Sequence, residues 1–230
     1  MAFFKRIFGS FTRFEIVLLI FSLLVTTVPF FALGNRAWIY LAASVLGVLS
    51  LTFTSKGNVL GEVLMVAFSI LYGIISWSYA YYGEMVTYLG MTLPISLFSI
   101  VSWLRHPSAA GHTEVRVARL GFRDYLVSFL PGVAVTVPFW FLLRHFQTPN
   151  LPISTLSVFT SFAAAWLTVK RSPAYALAYA ANDVVLIVRW VLAAIASRPY
   201  WAMVACFFAF LLNDIYGLFH WLRMRKRQEG

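Results

Sequence analysis

"AANDVVLIVRW" (residues 180–190) sets an Asn-Asp doublet and an arginine inside a run that otherwise reads as a membrane-crossing helix. A second doublet follows 31 residues later in "AFLLNDIYGLFHW" (209–221), again within apolar sequence. An ionised Asp near a bilayer centre costs about 2.5–3.5 kcal/mol on insertion scales, and such residues usually face a cavity, a partner or a substrate path. The fold turns on whether these runs are spans, and the function on what the doublets face.

The surrounding composition answers the first question. Of 230 residues 61% are apolar and only 11% charged, with a mean hydropathy of +0.80. This is the composition of an integral membrane protein. A crossing helix needs about 20 apolar residues, which leaves no room for a separate soluble domain beside eight spans. We read eight, at 14–33, 37–54, 58–82, 86–104, 125–143, 153–169, 173–197 and 200–222. The expected class is all-α, with eight transmembrane helices.

Orientation follows from the cations. With the N-terminus cytoplasmic, 14 Lys and Arg residues fall in inner segments, against Arg36, Arg144 and Arg198 outside. Inner loops of membrane proteins are enriched in Lys and Arg, so both termini are expected in the cytoplasm. The net charge of +10 is accounted for by this placement and does not imply a nucleic-acid partner. The basic stretch "RHPSAAGHTEVRVARLGFRD" (105–124) reads as a cytoplasmic, lipid-facing connector. Residues 1–13, with five apolar side chains among Lys5, Arg6 and Arg13, read as a short interfacial helix.

The two halves resemble each other. "TSK" (54–56) precedes "WLR" (103–105), and "TVK" (168–170) precedes "WLR" (221–223), each pair enclosing two spans. Both halves run from outside to inside over three spans, so the repeats are parallel and need one linking span between them. The expected organisation is an extra N-terminal helix in 1–34, a first three-helix bundle in 35–105, the connector and linking helix in 106–152, a second bundle in 153–223 and a basic tail in 224–230.

Chemistry-bearing patterns are sparse. The single cysteine, Cys206, builds no disulfide or thiolate site within one chain. His106, His112, His145 and His220 have no ligand spacing, and no HExxH, GxSxG or phosphate-binding loop occurs. No cofactor, no metal and no catalytic residue is expected. An intramembrane enzyme acting on lipid would need a nucleophile or metal set level with the aspartates, and none is present.

What remains is the polar set within the spans. Asn182 and Asn213 lie about 16 and 14 residues from the turn at Arg198 and Pro199, so both sit some 21–24 Å below the outer boundary at about 1.5 Å per residue. The candidates for substrate contact are Asn182, Asp183, Asn213 and Asp214, with Tyr179 and Trp190 on the same helix as the first doublet. Interhelical hydrogen bonding is the competing reading of the doublets, and pairing with a carboxylate or snorkelling outward is that of Arg189. In the first half Ser69, Tyr72, Ser76 and Tyr79 form a stripe at helical spacing, of which Ser69, matching Asp183 when counted from the paired lysines, and Tyr72 are further candidates for substrate contact. Glu62 is placed near the cytoplasmic mouth and Glu84 near the outer one. Carbonyl, carboxylate and aromatic groups, with Arg189 as the one cation, suit a neutral or weakly cationic ring-containing solute bearing hydroxyls.

"YYGEM" (81–85), "LP" (93–94), "ANDVVLIVRW" (181–190) and "FLLNDIYGLFHW" (210–221) together resemble the PnuC-type vitamin and nucleoside transporters, over roughly residues 37–224. The resemblance implies a SWEET-like pair of three-helix bundles joined by a linking helix, in a bacterial inner membrane. It also implies uptake of nicotinamide riboside by facilitated diffusion with alternating access. A cytoplasmic kinase would trap the solute; thiamine, riboflavin and deoxynucleosides are the substrates of relatives. The family's central Asn best matches Asn182 or Asp183, and its last-helix polar position matches Asn213. Many nicotinamide riboside carriers have two tryptophans on the turns before that Asn, where this chain has Ala176 and Tyr179. On this reading Pro94 is the gating position and membrane lipid the surroundings. Proton coupling, the oligomeric state and the choice of solute stay open.

Overall fold

The computed structural model describes residues 11–32, 38–78, 82–108, 114–148, 150–196 and 201–229. The interfacial segment expected before residue 11, Arg36, Tyr79, Tyr81, His112 and the turn at Arg198 and Pro199 lie outside the described residues. The helices are α1 (Arg13–Ala32), α2 (Trp38–Ser55), α3 (Leu60–Ser78), α4 (Tyr82–Val86), α5 (Leu93–Leu104), α6 (Phe122–His145), α7 (Leu151–Val169), α8 (Ala174–Ala196) and α9 (Trp201–Glu229). A π-helical segment, Thr87–Thr92, makes α4 and α5 continuous. Among the described residues six stretches are long and apolar enough to cross a membrane: Leu60–Ser78, Tyr82–Leu104, Phe122–His145, Leu151–Val169, Ala174–Leu192 and Met203–Glu229. Leu41–Ser55 is a shorter apolar helix. The chain is thus an all-helical, multi-pass membrane protein.

Helix α3 packs between α2 and α4–α5, and α8 packs between α7 and α9. The two groups meet along α9 against α2 and α5 against α7, while α6 leans on α7 and α1 lies across α2 and α9. The outer faces are greasy: Phe122, Leu126, Leu130, Val137 and Phe141 on α6 are all more than half exposed, as lipid contact requires. Helix α1 starts with a capping box, Glu15 Oε2 accepting from Thr12 N–H at 2.6 Å and Thr12 Oγ1 accepting from Glu15 N–H at 3.3 Å. The same Glu15 carboxylate is 3% exposed and ties α1 to its neighbours, through Lys56 Nζ at 2.8 Å and Tyr216 Oη at 2.5 Å.

The two matched triplets end their helices alike. Gly57 (φ 65°) and Arg171 (φ 56°) take the left-handed position that closes a helix C-terminus. The N–H of Gly57 bonds to Thr54 O and that of Arg171 to Thr168 O, both at 2.9 Å. In both turns a residue of the other half reaches the same carbonyl. Trp221 Nε1–H donates to Thr54 O at 3.0 Å, and Trp103 Nε1–H donates to Thr168 O at 2.9 Å. The close approach of α9 to the end of α2 is made possible by Gly217, where a Cβ would stand 3.2 Å from Tyr175 Oη and 3.3 Å from Ser55 Cβ.

The π segment has a local cause. Pro94 has no N–H to return to the carbonyl four residues back, so the ladder is already broken there. Leu93 N–H instead reaches Tyr88 O, five residues back. The widened turn is patched by Thr92 Oγ1 donating to Thr87 O at 3.3 Å and Thr87 Oγ1 donating to Gly83 O at 2.9 Å. Such π turns recur at functional positions.

Candidate substrate site

A cavity of about 100 Å³ lies between the two helix groups. Typical ligand pockets hold roughly 300–1,000 Å³, so this cavity is smaller than most. Helix α8 supplies one wall because Tyr179, Asn182, Asp183, Leu186, Arg189 and Trp190 recur at helical spacing on a single face. The opposite wall comes from Phe68 and Tyr72 of α3 and from Thr87, Tyr88 and Thr92 of the π segment. Asp214 of α9 closes the side, with Phe207 and Phe210 beside it.

The polar groups are held from behind. Asn182 Oδ1 accepts from Thr160 Oγ1 at 2.8 Å and from Ser157 Oγ at 3.2 Å, both on α7. With its oxygen committed, the amide has its N–H donors left for the cavity. Asp183 and Asp214 are 4% and 5% exposed, and their carboxyl groups meet within hydrogen-bonding reach across the α8–α9 seam. A hydrogen bond between two carboxyls needs one proton between them. Asp183 Oδ2 is buried and has no hydrogen-bond donor among the described residues. A buried acceptor without a donor is costly.

Arg189 is paired rather than snorkelled. Its Nη1 donates to Glu84 Oε1 at 2.7 Å, linking α8 to α4 across the cavity, and its guanidinium lies 5.6 Å from the Trp190 ring centroid. The aromatic wall is preassembled: Tyr72 and Tyr88 have ring centroids 4.4 Å apart, and Phe68 stacks on Tyr72 at 5.5 Å and 29°.

Of the residues expected from sequence, Asn182, Asp183, Asp214, Tyr179, Trp190 and Tyr72 are brought together on this cavity. Asn213 is not. It faces the other flank of α9 and donates through Nδ2 to Ser22 Oγ of α1 at 2.7 Å and to Ala209 O at 2.8 Å. Adjacent residues on a helix point about 100° apart, and the rotation of α9 turns Asp214 to the cavity and Asn213 to α1. Ser69 is fully buried behind the wall, its Oγ without a partner among the described residues. Pro94 stands off the cavity, just after the π turn that lines it. Glu62, placed at the inner mouth from sequence, is 5% exposed and accepts from Thr54 Oγ1 at 3.2 Å. Sequence reasoning passed over Tyr88, Thr92 and the α7 hydroxyls. For Ser157, Thr160 and Ser161 the three- and four-residue spacing opposite a buried Asn was an available signal.

Comparisons with known proteins fall on one family. The model of the family described as nicotinamide mononucleotide transporter matches residues 37–223. The nicotinamide riboside transporter PnuC of Neisseria mucosa is 25% identical over 236 residues, covering 100% of this chain and 89% of that protein. The nicotinamide riboside transporter PnuC of Haemophilus influenzae is 22% identical over 192 residues, covering 83% of this chain and 82% of that protein. A crystal structure of the vitamin B3 transporter PnuC superposes with a TM-score of 0.82 at 26% identity, covering 99% of each chain. The chain therefore belongs to the nicotinamide mononucleotide transporter family of membrane transporters.

Proposed function

We propose that this chain carries nicotinamide riboside across a bacterial inner membrane by facilitated diffusion with alternating access, and that an intracellular kinase traps the solute. The observation that carries this reading is the charge balance of the cavity. Glu84, Asp183 and Asp214 line it against a single cation, Arg189, whose charge Glu84 already offsets. A phosphate dianion would meet carboxyls at close range with no free cation to receive it, which argues for the riboside over the mononucleotide. A pyridinium ring with ribose hydroxyls fits, since aromatic faces attract cations and the orphaned Asp183 Oδ2 accepts a hydroxyl. In this reading Asn182, Asp183 and Asp214 bond the ribose and carboxamide, and Tyr179, Trp190 and Tyr72 stack the ring. Asn213 holds α9 in register with α1, Ser69 backs the wall, and Pro94 lets the first helix group flex.

The architecture that goes with it is an eight-helix arrangement, two parallel three-helix bundles joined by α6 with α1 as the extra helix and both termini in the cytoplasm. The seams of α9 on α2 and α5 on α7 support it. A second reading, a carrier of another nucleoside or vitamin with proton coupling, is favoured by two features. Ala176 and Tyr179 stand where family carriers of nicotinamide riboside have tryptophans, and the Asp183–Asp214 contact can hold a proton. Uptake of labelled solutes into proteoliposomes separates the readings. Nicotinamide riboside is expected to equilibrate without exceeding its outside concentration and to be competed poorly by the mononucleotide, thiamine, riboflavin and deoxynucleosides. Accumulation above equilibrium only under a pH gradient would establish the coupled alternative.

A further inference from the structure

The connector between the helix groups is built into the basic end of the molecule. Residues 114–118 run extended and bond in turn to the ends of four helices. Val115 N–H donates to Gly57 O after α2 at 2.9 Å, Arg116 N–H to His106 O after α5 at 2.8 Å, and Ala118 N–H to Arg171 O after α7 at 3.0 Å. From α9, Gln228 grips both edges, its Oε1 accepting from Val117 N–H at 2.8 Å and its Nε2–H donating to Val115 O at 3.1 Å. Arg227 pairs with Glu114 at 3.2 Å. The period-two pattern sends Val115 and Val117 inward, 2% and 8% exposed, into a cluster with Trp103, Tyr175, Trp221 and Met224. The two indoles, 5.5 Å apart, are the pair that crosses between the helix groups.

This cluster adjoins the cavity. Tyr179 lines the cavity and also packs against the cluster, so the path from the solute to the basic end passes through the valines and the tryptophans. We infer that the strap Glu114–Ala118, with Trp103 and Trp221 beneath it, is the cytoplasmic gate of the carrier. Its withdrawal, with loss of the two reciprocal indole bonds, is the step that releases solute inward. The inference rests on the transport reading above for its meaning, but not for its test. The strap is suited to detachment. It is held by a few exchangeable hydrogen bonds and two small side chains, while the helices beneath keep their own ladders when it leaves. Like charge also opposes the closed form, since burial and the neighbouring Arg116 push the Arg171 guanidinium below its ordinary range.

The test uses the full chain with Cys206→Ala and a reporter thiol, Val117→Cys, labelled by a membrane-impermeant maleimide on inside-out vesicles. Labelling is expected to be slow beside an Arg119→Cys control, whose position is exposed. Adding Gln228→Ala, which removes both grips on the strap at the tail end of α9, is expected to speed it about tenfold, as the loss of two hydrogen bonds implies. Trp221→Phe, which keeps an aromatic ring but removes the N–H and the pyrrole half of the indole, is expected to act in the same direction. Equal labelling rates with and without both changes, or a Val117→Cys thiol as reactive as the control at the outset, would overturn the gate. No solute enters the assay, so a failed gate and a wrong substrate give different results.

Discussion

Glu15 offers a prediction whose size is set by the geometry around it. The carboxylate side chain is 2% exposed and faces Lys56, itself 12% exposed, at 2.8 and 2.9 Å. It also accepts from Tyr216 Oη at 2.5 Å and from the Thr12 backbone N–H at 2.6 Å. Glu15→Leu would leave the ammonium without its carboxylate, the phenol without its acceptor and α1 without half of its capping box. Breaking a buried pair by removing one partner costs about 3–5 kcal/mol, and the cation–π contact of Lys56 with Phe11, 4.6 Å to the ring centroid, offsets part of that. We expect a loss of about 3 kcal/mol, which for a chain of this size is a fall of roughly 6–12 °C in the melting midpoint. The assay is thermal unfolding of the detergent-purified protein, as a double-mutant cycle with Lys56→Met. The double variant should regain at least half of the loss, because the uncompensated charge is gone. A midpoint shift under about 1 °C for Glu15→Leu, or strictly additive single effects, would refute the claim that this pair fastens α1 to α2 and α9.

Three further outcomes are expected. Glu84→Gln should weaken nicotinamide riboside binding about tenfold by leaving the Arg189 charge uncompensated beside the cavity, and Glu84→Gln with Arg189→Met should recover part of that in titration calorimetry. Asn213→Ala should lower the melting midpoint by an amount matching about 1–2 kcal/mol, through the lost bond to Ser22, while changing affinity less than about twofold. Gly217→Val should destabilise by about 1–3 kcal/mol, since its Cβ alone meets Tyr175 and Ser55 near 3.2 Å, and thermal unfolding would show it.

Much of the fold was legible because the bilayer imposes length and charge rules that a single sequence must obey. The spans read at 153–169 and 173–197 lie within three residues of α7 and α8 at either end. The triplets ending in Lys56 and Lys170 marked two turns of the same geometry. The lining of the cavity was legible where polarity alone decides, as at Asn182, Asp183 and Asp214, whose cost in lipid advertises them. It was not legible where a partner is distant in sequence. Arg189 meets Glu84 105 residues away, and no spacing rule relates a span's middle to another span's mouth. Asn213 misled because depth is readable from residue counting, whereas which flank faces which neighbour depends on helix rotation. The connector was read as a loop facing lipid headgroups. Its alternation in "EVRVAR" was the sign of an extended strap, overshadowed by its charge.

The central claim is that Asn182, Asp183 and Asp214 form the wall that holds the solute. Titration calorimetry of the purified protein with nicotinamide riboside, on the parent chain and on Asn182→Ala and Asp183→Asn, tests it most directly. The account predicts saturable binding by the parent and a loss of affinity of about tenfold or more in each variant, with melting midpoints near the parent's. Binding by both variants with the parent's affinity would contradict it.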